Sequence, residues 1–225
     1  MIKTPMEQVE AGQAVYTPKL LSIYDLLVLG VSNRLIWRCP TPLQLEHYHR
    51  HVSANHLDVG VGTGYFLDHC RFPSLTPRIG LMDLNPNSLT FTAQRIARYQ
   101  PETYQRNVLE PIAFDGEKFD SVGVNYLLHC LPGSMDAKAV LFDCLKPLLN
   151  PGAVIFGTTL LHEGIHLNPV AKQLMAFYNR KGVFSNQGDD VVGLTRELNR
   201  RFVHVNVEVV GCGALFAAVS PNSLT

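Results

Sequence analysis

The sequence predicts an α/β fold: a mostly parallel sheet with helices on both faces, finished by an antiparallel hairpin. Three observations predict it. From about residue 55 onward, short apolar runs alternate with helical stretches, the pattern of parallel strands joined by helical crossovers. A glycine-rich turn, Gly60-Val61-Gly62-Thr63-Gly64, falls at the first strand-to-helix junction. Near the C-terminus, Gly211-Cys212-Gly213 separates two β-rich runs, a hairpin signal.

Each element has its own warrant. Apolar residues at Leu20, Leu21, Tyr24, Leu27, Val28 and Val31 give a helical period over Pro18 to Trp37. A second helix is expected over Pro42–His51, with Thr41 as its N-cap. His56–Gly60 reads as the first strand and Gly64–Cys70 as a helix. Arg78–Asp83 is a strand, and Pro86 opens a helix over Asn87–Tyr99. Thr103–Val108 is a weaker strand and Phe119–Tyr126 a stronger one. A helix over Met135–Leu149 is broken by Pro151-Gly152 before the strand Ala153–Leu161. Val170–Tyr178 and Asp190–Arg201 read as helices, and Val203–Val210 with Ala214–Ser220 as the closing hairpin.

The chain has 225 residues, with 19 basic and 19 acidic side chains. The length suits one domain. The neutral balance counts against nucleic acid as partner, because such binders carry a basic surplus or stripe. It also counts against a membrane surface. Five widely spaced cysteines with no CxxC pair argue against a disulfide framework or structural zinc and for a reducing, cytoplasmic setting. The N-terminus lacks a signal-peptide apolar region. Within Glu46-His47-Tyr48-His49-Arg50-His51, His47 and His51 lie one helical turn apart. A third metal ligand is not evident, so no metal site is expected.

The glycine turn carries the chemistry. Glycines there admit unusual dihedrals and a close ligand, and the next helix offers its free N–H groups. The spacing is GxGxG, whereas the dinucleotide turn is GxGxxG. Asp58 stands two residues before Gly60. A carboxylate there would repel a pyrophosphate and suits a ligand bearing an ammonium group. An acid about twenty residues past such a turn, here Asp83, fits the two hydroxyls of a ribose.

Asp58-Val59-Gly60-Val61-Gly62-Thr63-Gly64 resembles the [DE]-x-G-x-G-x-G signature of class I methyltransferases. The resemblance runs from about residue 55 to the C-terminus. It takes in Lys146-Pro147-Leu148-Leu149-Asn150-Pro151-Gly152-Ala153, similar to the family's L-x-P-G-G pattern with alanine for a glycine. The segment Phe177 to Asn186 resembles small type 11/12 methyltransferase domains. The family implies a Rossmann-like, seven-stranded sheet and S-adenosylmethionine as cofactor, with S-adenosylhomocysteine as product. It implies that Asp58, Gly60, Gly62 and Gly64 wrap the methionine end, Asp83 holds the ribose and Leu84 packs on adenine. Asn107, where the family often has an acid, and Val108 belong to the adenine side; Asn125 ends the fourth strand in the crevice. The [DNS]-P-P-[YF] motif of enzymes acting on nucleic-acid bases is missing there.

Methyl transfer from a sulfonium needs orientation and a dry pocket more than a signature side chain. His129, just past the fourth strand, is the expected catalytic base, with an unperturbed pKa of about 6.5. Residues 1–52 are expected to form a helical lid and 53–225 the cofactor domain, with 162–190 as a cap insertion. Tyr16, Tyr24, Trp37, His162 and Tyr178 are the expected acceptor-side residues; Tyr48 is a further lid aromatic. The expected acceptor is a small molecule, methylated on oxygen or nitrogen, with the chain a monomer or homodimer. Three alternatives stand beside this: methylation of a protein or peptide, cofactor binding without methyl transfer, and a nicotinamide oxidoreductase.

Overall fold

In the computed structural model, residues 25–222 are described. A seven-stranded sheet has the order β3-β2-β1-β4-β5-β7-β6. Its strands are β1 (Asn55–Val59), β2 (Arg78–Asp83), β3 (Glu102–Gln105), β4 (Phe119–Asn125), β5 (Leu149–Leu160), β6 (Val203–Val210) and β7 (Gly213–Val219). The first five are mutually parallel. β7 runs antiparallel between β5 and β6, so the closing hairpin lies as the sequence predicts. The strand order reverses between β1 and β4, and the crevice beyond their C-terminal ends is where ligands bind in such sheets.

Helices α1 (Thr41–His51), α2 (Tyr65–His69), α3 (Pro86–Arg95), α4 (Met135–Lys138), α5 (Val140–Leu145), α6 (Pro169–Lys181) and α7 (Val191–Asn199) cover it. The period-two alternation of the strands divides the core in two. On one face Leu57, Val59, Val122, Val124 and Ile155 meet Leu141, Phe142 and Leu194. On the other, Ile79, Leu81 and Phe156 meet Tyr48, Leu67 and Leu89. His56 and Asp58 share this second face with Tyr48, because they alternate with Leu57 and Val59 along β1.

Several boundaries differ from expectation. Asp25–Ile36 is a π-helix, where the apolar period suggested an ordinary helix from Pro18; Pro18 to Tyr24 lie outside the described residues. Thr41 does not cap α1. Pro40 holds the extended cap position, and the Thr41 hydroxyl donates to the Leu29 carbonyl while accepting from Asn33 Nδ2 at 2.9 Å. The stretch 135–149 is two short helices that part at Ala139, then a 3-10 turn, Lys146–Leu148; Pro147, which has no N–H to continue a helix, lies in that turn. β3 stops at Gln105, short of Val108, and the helix after Pro86 gives way to a 3-10 turn at Ala97–Tyr99.

α1 packs on β5 and β7 as part of one helical layer. The ends of the segment 162–190 meet: Asp189 O accepts the His162 N–H at 2.9 Å. The Asp189 carboxylate takes Lys138 Nζ at 2.7 and 2.6 Å. Among the described residues, no helix is long and apolar enough to cross a membrane, and all five cysteines are free.

Candidate active site

The turn from β1 to α2 is built to expose backbone. Gly60, Gly62 and Gly64 have φ of +71°, +52° and +70°, a region that costs other residues about 1–2 kcal/mol each. The Gly60 N–H donates to Met82 O and the Gly64 N–H to Val61 O, both at 2.8 Å. A Cβ on Gly64 would lie 2.6 Å from Thr92 Cγ2, whereas a Cβ on Gly62 would meet nothing within 4 Å. Gly64 is therefore small for packing, and Gly62 borders open space.

Asp83 ends β2 beside this turn. Its Oδ1 accepts the Asn85 N–H at 2.8 Å, and the N–H groups of Gly62, Val61 and Leu84 also support the carboxylate. Burial nevertheless pushes its pKa up to about 6. A half-buried carboxylate facing the crevice is an acceptor that suits a ligand donating two hydroxyls. Asn85 caps α3 by accepting the Asn87 N–H at 2.9 Å, which fixes the bend past Asp83.

Two lobes of one crevice meet over the glycines. The first is lined by Gly60, Gly62, Asp83, Leu84, Asn107 and Val108, together with Arg106, Tyr126, Leu127 and Cys130. The second is lined by Asp58, Gly60, Gly62, Gly64 and Asn125, with Leu29, Tyr65, Phe66 and Tyr126. Asn125 Oδ1 accepts from Thr158 Oγ1 at 2.7 Å, which turns its amide nitrogen away, and that buried Nδ2 has no partner. Tyr126 belongs to both lobes. Its φ is +55°, a strained conformation held by its N–H to Thr158 O at 2.7 Å.

A family model described as the methyltransferase domain matches residues 57–155. Demethylluteothin O-methyltransferase of Streptomyces thioluteus is 41% identical over 212 residues, 94% of this chain and 92% of that one. The physcion biosynthesis cluster O-methyltransferase of Aspergillus chevalieri is 38% identical, over 94% of this chain and 96% of that one. This chain belongs to the class I S-adenosylmethionine-dependent methyltransferases. The methyltransferase shares its fold with the N-methyltransferase NodS of Bradyrhizobium japonicum WM9, solved with S-adenosylhomocysteine. The TM-score is 0.61 at 17% identity, over 97% of this chain and all of that one.

The crevice of the methyltransferase fits its cofactor. The second lobe sets the Asp58 carboxylate and the orphaned Asn125 amide donor on its walls, a match for the ammonium and carboxylate of an amino-acid end. The first lobe pairs the Asp83 acceptor with an apolar wall. Asn107 lines it, although its Oδ1 already accepts the Leu109 N–H at 3.1 Å and its Nδ2 donates to Glu110 at 2.7 Å.

The residues expected on the acceptor side are not gathered in these lobes. His129 is 3% exposed. Its Nδ1 lies 3.3 Å from the Leu160 N–H donor and 3.4 Å from Thr159 Oγ1. Burial, then the Lys138 charge, pull its pKa down to about 3. Trp37, 2% exposed, packs with Leu160 and Met175; its ring sits 6.2 Å from Phe184. The Tyr178 ring is tilted against Phe184, their centroids 4.8 Å apart. His162 Nδ1 is buried without a partner. Tyr16 and Tyr24 lie outside the described residues. His47 turns Nε2 toward Phe216 O at 2.9 Å and stacks edge-on with His51; among the described residues no three-ligand metal cluster forms. Tyr126, Arg106, Cys130 and Leu29 are lining residues that sequence reasoning missed. Tyr126 directly follows Asn125, but its positive φ leaves no mark in the sequence.

Proposed function

We propose that the methyltransferase methylates an acidic hydroxyl, a phenol or enol, of a small metabolite. The observation that carries this reading is the composition of the crevice. Among the described residues lining it, no histidine occurs. Asp83 is taken up by the ribose end of the cofactor, Asp58 by the second lobe, and the Cys130 thiol is pushed up to about 12 by burial. A site without a free base suits an acceptor that ionises unaided near neutral pH. Two relatives named above as O-methyltransferases, of demethylluteothin and of the physcion cluster, support oxygen as the accepting atom.

On this reading Asp58 takes the cofactor's ammonium, Asn125 Nδ2 its carboxylate, Asp83 the ribose diol, and Leu84 with Val108 the adenine faces. The bound cofactor supplies an electrophilic methyl group on a sulfonium. The chain's part is to hold that group in line, and to exclude water with Leu127, Leu131 and Tyr126. His129 shapes the wall behind Tyr126, their rings 5.4 Å apart, and does not take the acceptor's proton. The free cysteines fit a cytoplasmic enzyme, and the neutral charge fits a small acceptor with no nucleic acid.

The test is a panel of phenols, aliphatic alcohols and amines of graded pKa, with products read by mass and by the chemical shift of the new methyl. The expected result is O-methyl products from the acidic hydroxyls, with kcat/KM rising through the acceptor's own pKa. His129→Asn should follow the same pH profile. Methylation confined to amines, or a profile set by an enzyme group lost in His129→Asn, would refute the reading.

A further inference from the structure

The face of β1 that bears Asp58 carries a buried polar chain running away from the crevice. Tyr48 of α1 is fully buried, with its ring stacked on Phe66 at 5.6 Å and edge-on to Phe156 at 5.1 Å. Its hydroxyl stands 3.0 Å from Asp58 Oδ1 and 2.7 Å from His56 Nε2. His56 Nδ1 stands 2.8 Å from Ser121 Oγ. Ser121 Oγ accepts the Ser53 N–H at 2.9 Å. Tyr48, His56 and Ser121 are each 0% exposed, so no solvent competes for these bonds.

The direction of the hydrogens follows from the ends. A carboxylate only accepts, so the Tyr48 hydrogen goes to Asp58. Tyr48 Oη must then accept from His56, which puts the imidazole hydrogen on Nε2. Nδ1 is left as an acceptor and takes the Ser121 hydrogen, while Ser121 Oγ takes the Ser53 N–H. Ser53 Oγ is a further neighbour of the Ser121 hydroxyl at 2.8 Å and donates to Asn55 O at 2.8 Å. β4 makes room for this arrangement: a Cβ on Gly123, the register partner of Asp58, would lie 2.9 Å from Asp58 Oδ1 and 3.2 Å from His56 Cε1.

We propose that Tyr48 is the positioning residue that aims the Asp58 carboxylate into the second lobe, with Ser121 and His56 setting the direction of its hydroxyl. This rests on the reading of Asp58 as the partner of the cofactor's ammonium. Donation to Oδ1 fixes one carboxylate oxygen and leaves the other for the ligand. Without it the buried carboxylate loses its support. Tyr48 therefore acts on the amino-acid end of the ligand and not on the adenosine.

Calorimetric titration of the full chain with two ligands separates this from a structural role. S-adenosylhomocysteine carries the ammonium; 5′-methylthioadenosine has the same nucleoside thioether without it. Tyr48→Phe is expected to weaken S-adenosylhomocysteine by about tenfold, the scale of one hydrogen bond to a charged group, and methylthioadenosine by less than about twofold. Ser121→Ala is expected to shift the same ratio in the same direction by less, and it decides the matter should Tyr48→Phe not fold. Equal losses for both ligands, or an unchanged ratio, overturn the proposal. Asp58→Asn run in parallel shows which claim failed. If it spares S-adenosylhomocysteine binding, the ammonium reading falls with the proposal; if it weakens binding while Tyr48→Phe does not, only the role of Tyr48 falls.

Discussion

The Tyr126 hydroxyl donates to Asn33 Oδ1 at 2.9 Å, joining the strained end of β4 to the π-helix. The same oxygen accepts from Gln44 Nε2 of α1 at 2.8 Å. Asn33 and Gln44 are both buried. A crevice residue is thus tied to the N-terminal elements by its side chain while its backbone is held by Thr158.

Tyr126→Phe should therefore destabilise more than its one lost oxygen suggests. It leaves buried Asn33 Oδ1 without its hydroxyl donor, at about 1–3 kcal/mol for an unsatisfied group, and takes one acceptor from Gln44 Nε2, which keeps the Cys39 carbonyl at 2.7 Å. At about 2–4 °C per kcal/mol for a chain of this size, a fall in Tm of several degrees is expected by calorimetry. An unchanged Tm would show that these bonds do not hold the π-helix to the sheet.

Gly62→Ala and Gly64→Ala should separate ligand space from packing. Both place alanine at a positive φ, but only the Gly64 Cβ meets a protein atom, Thr92 Cγ2. Gly62→Ala is expected to stay folded, with a loss of about 1–2 kcal/mol, and to lose S-adenosylhomocysteine binding. Gly64→Ala is expected to lose stability by a larger margin. Thermal melts with and without ligand check both.

Asp83 predicts a pH dependence. Burial raises its pKa from 3.8 to about 6 in the folded chain. Stability from this group is fully present below about 3.8 and is lost as pH rises through about 6. Ribose hydroxyls donate to the ionised form, so affinity for S-adenosylhomocysteine should rise with pH through about 6. Titrations between pH 5 and 8 should show that rise, and Asp83→Asn should flatten it.

Lys138→Met tests the buried pair that holds Asp189. Lys138 is 0% exposed and Asp189 1%; removing the cation strands a buried carboxylate at a cost of about 3–5 kcal/mol. Lys138→Met with Asp189→Asn should recover much of that loss in denaturant unfolding. A double variant as unstable as the single one would contradict the pairing.

The readable parts of this fold were those where one local pattern has one structural meaning. β1, β2 and β4 are short, mostly buried runs that end in turn residues, so their positions and the crevice at their ends follow directly. Asp58, the three glycines and Asp83 sit on that frame at fixed offsets, and all nine expected cofactor residues line the two lobes. Apolar periodicity does not separate a π-helix from an ordinary one, which hid the geometry of Asp25–Ile36. The reading of 135–149 as one helix passed over Pro147. Chain position makes His129 a candidate base but says nothing about its burial, which leaves it 3% exposed. The contacts of Tyr48 with Asp58 and of Tyr126 with Asn33 join residues brought together by packing, and no spacing in the chain announces them.

The central claim is that the crevice between β1, β2 and β4 binds S-adenosylmethionine through Asp83 and the glycine turn. Calorimetric titration of the wild-type chain and Asp83→Ala with S-adenosylhomocysteine and NAD tests it most directly. The expected result is affinity on the order of micromolar for S-adenosylhomocysteine, none for NAD, and clear loss in a folded Asp83→Ala. Equal binding of S-adenosylhomocysteine by the two proteins, or binding of NAD in its place, would contradict it.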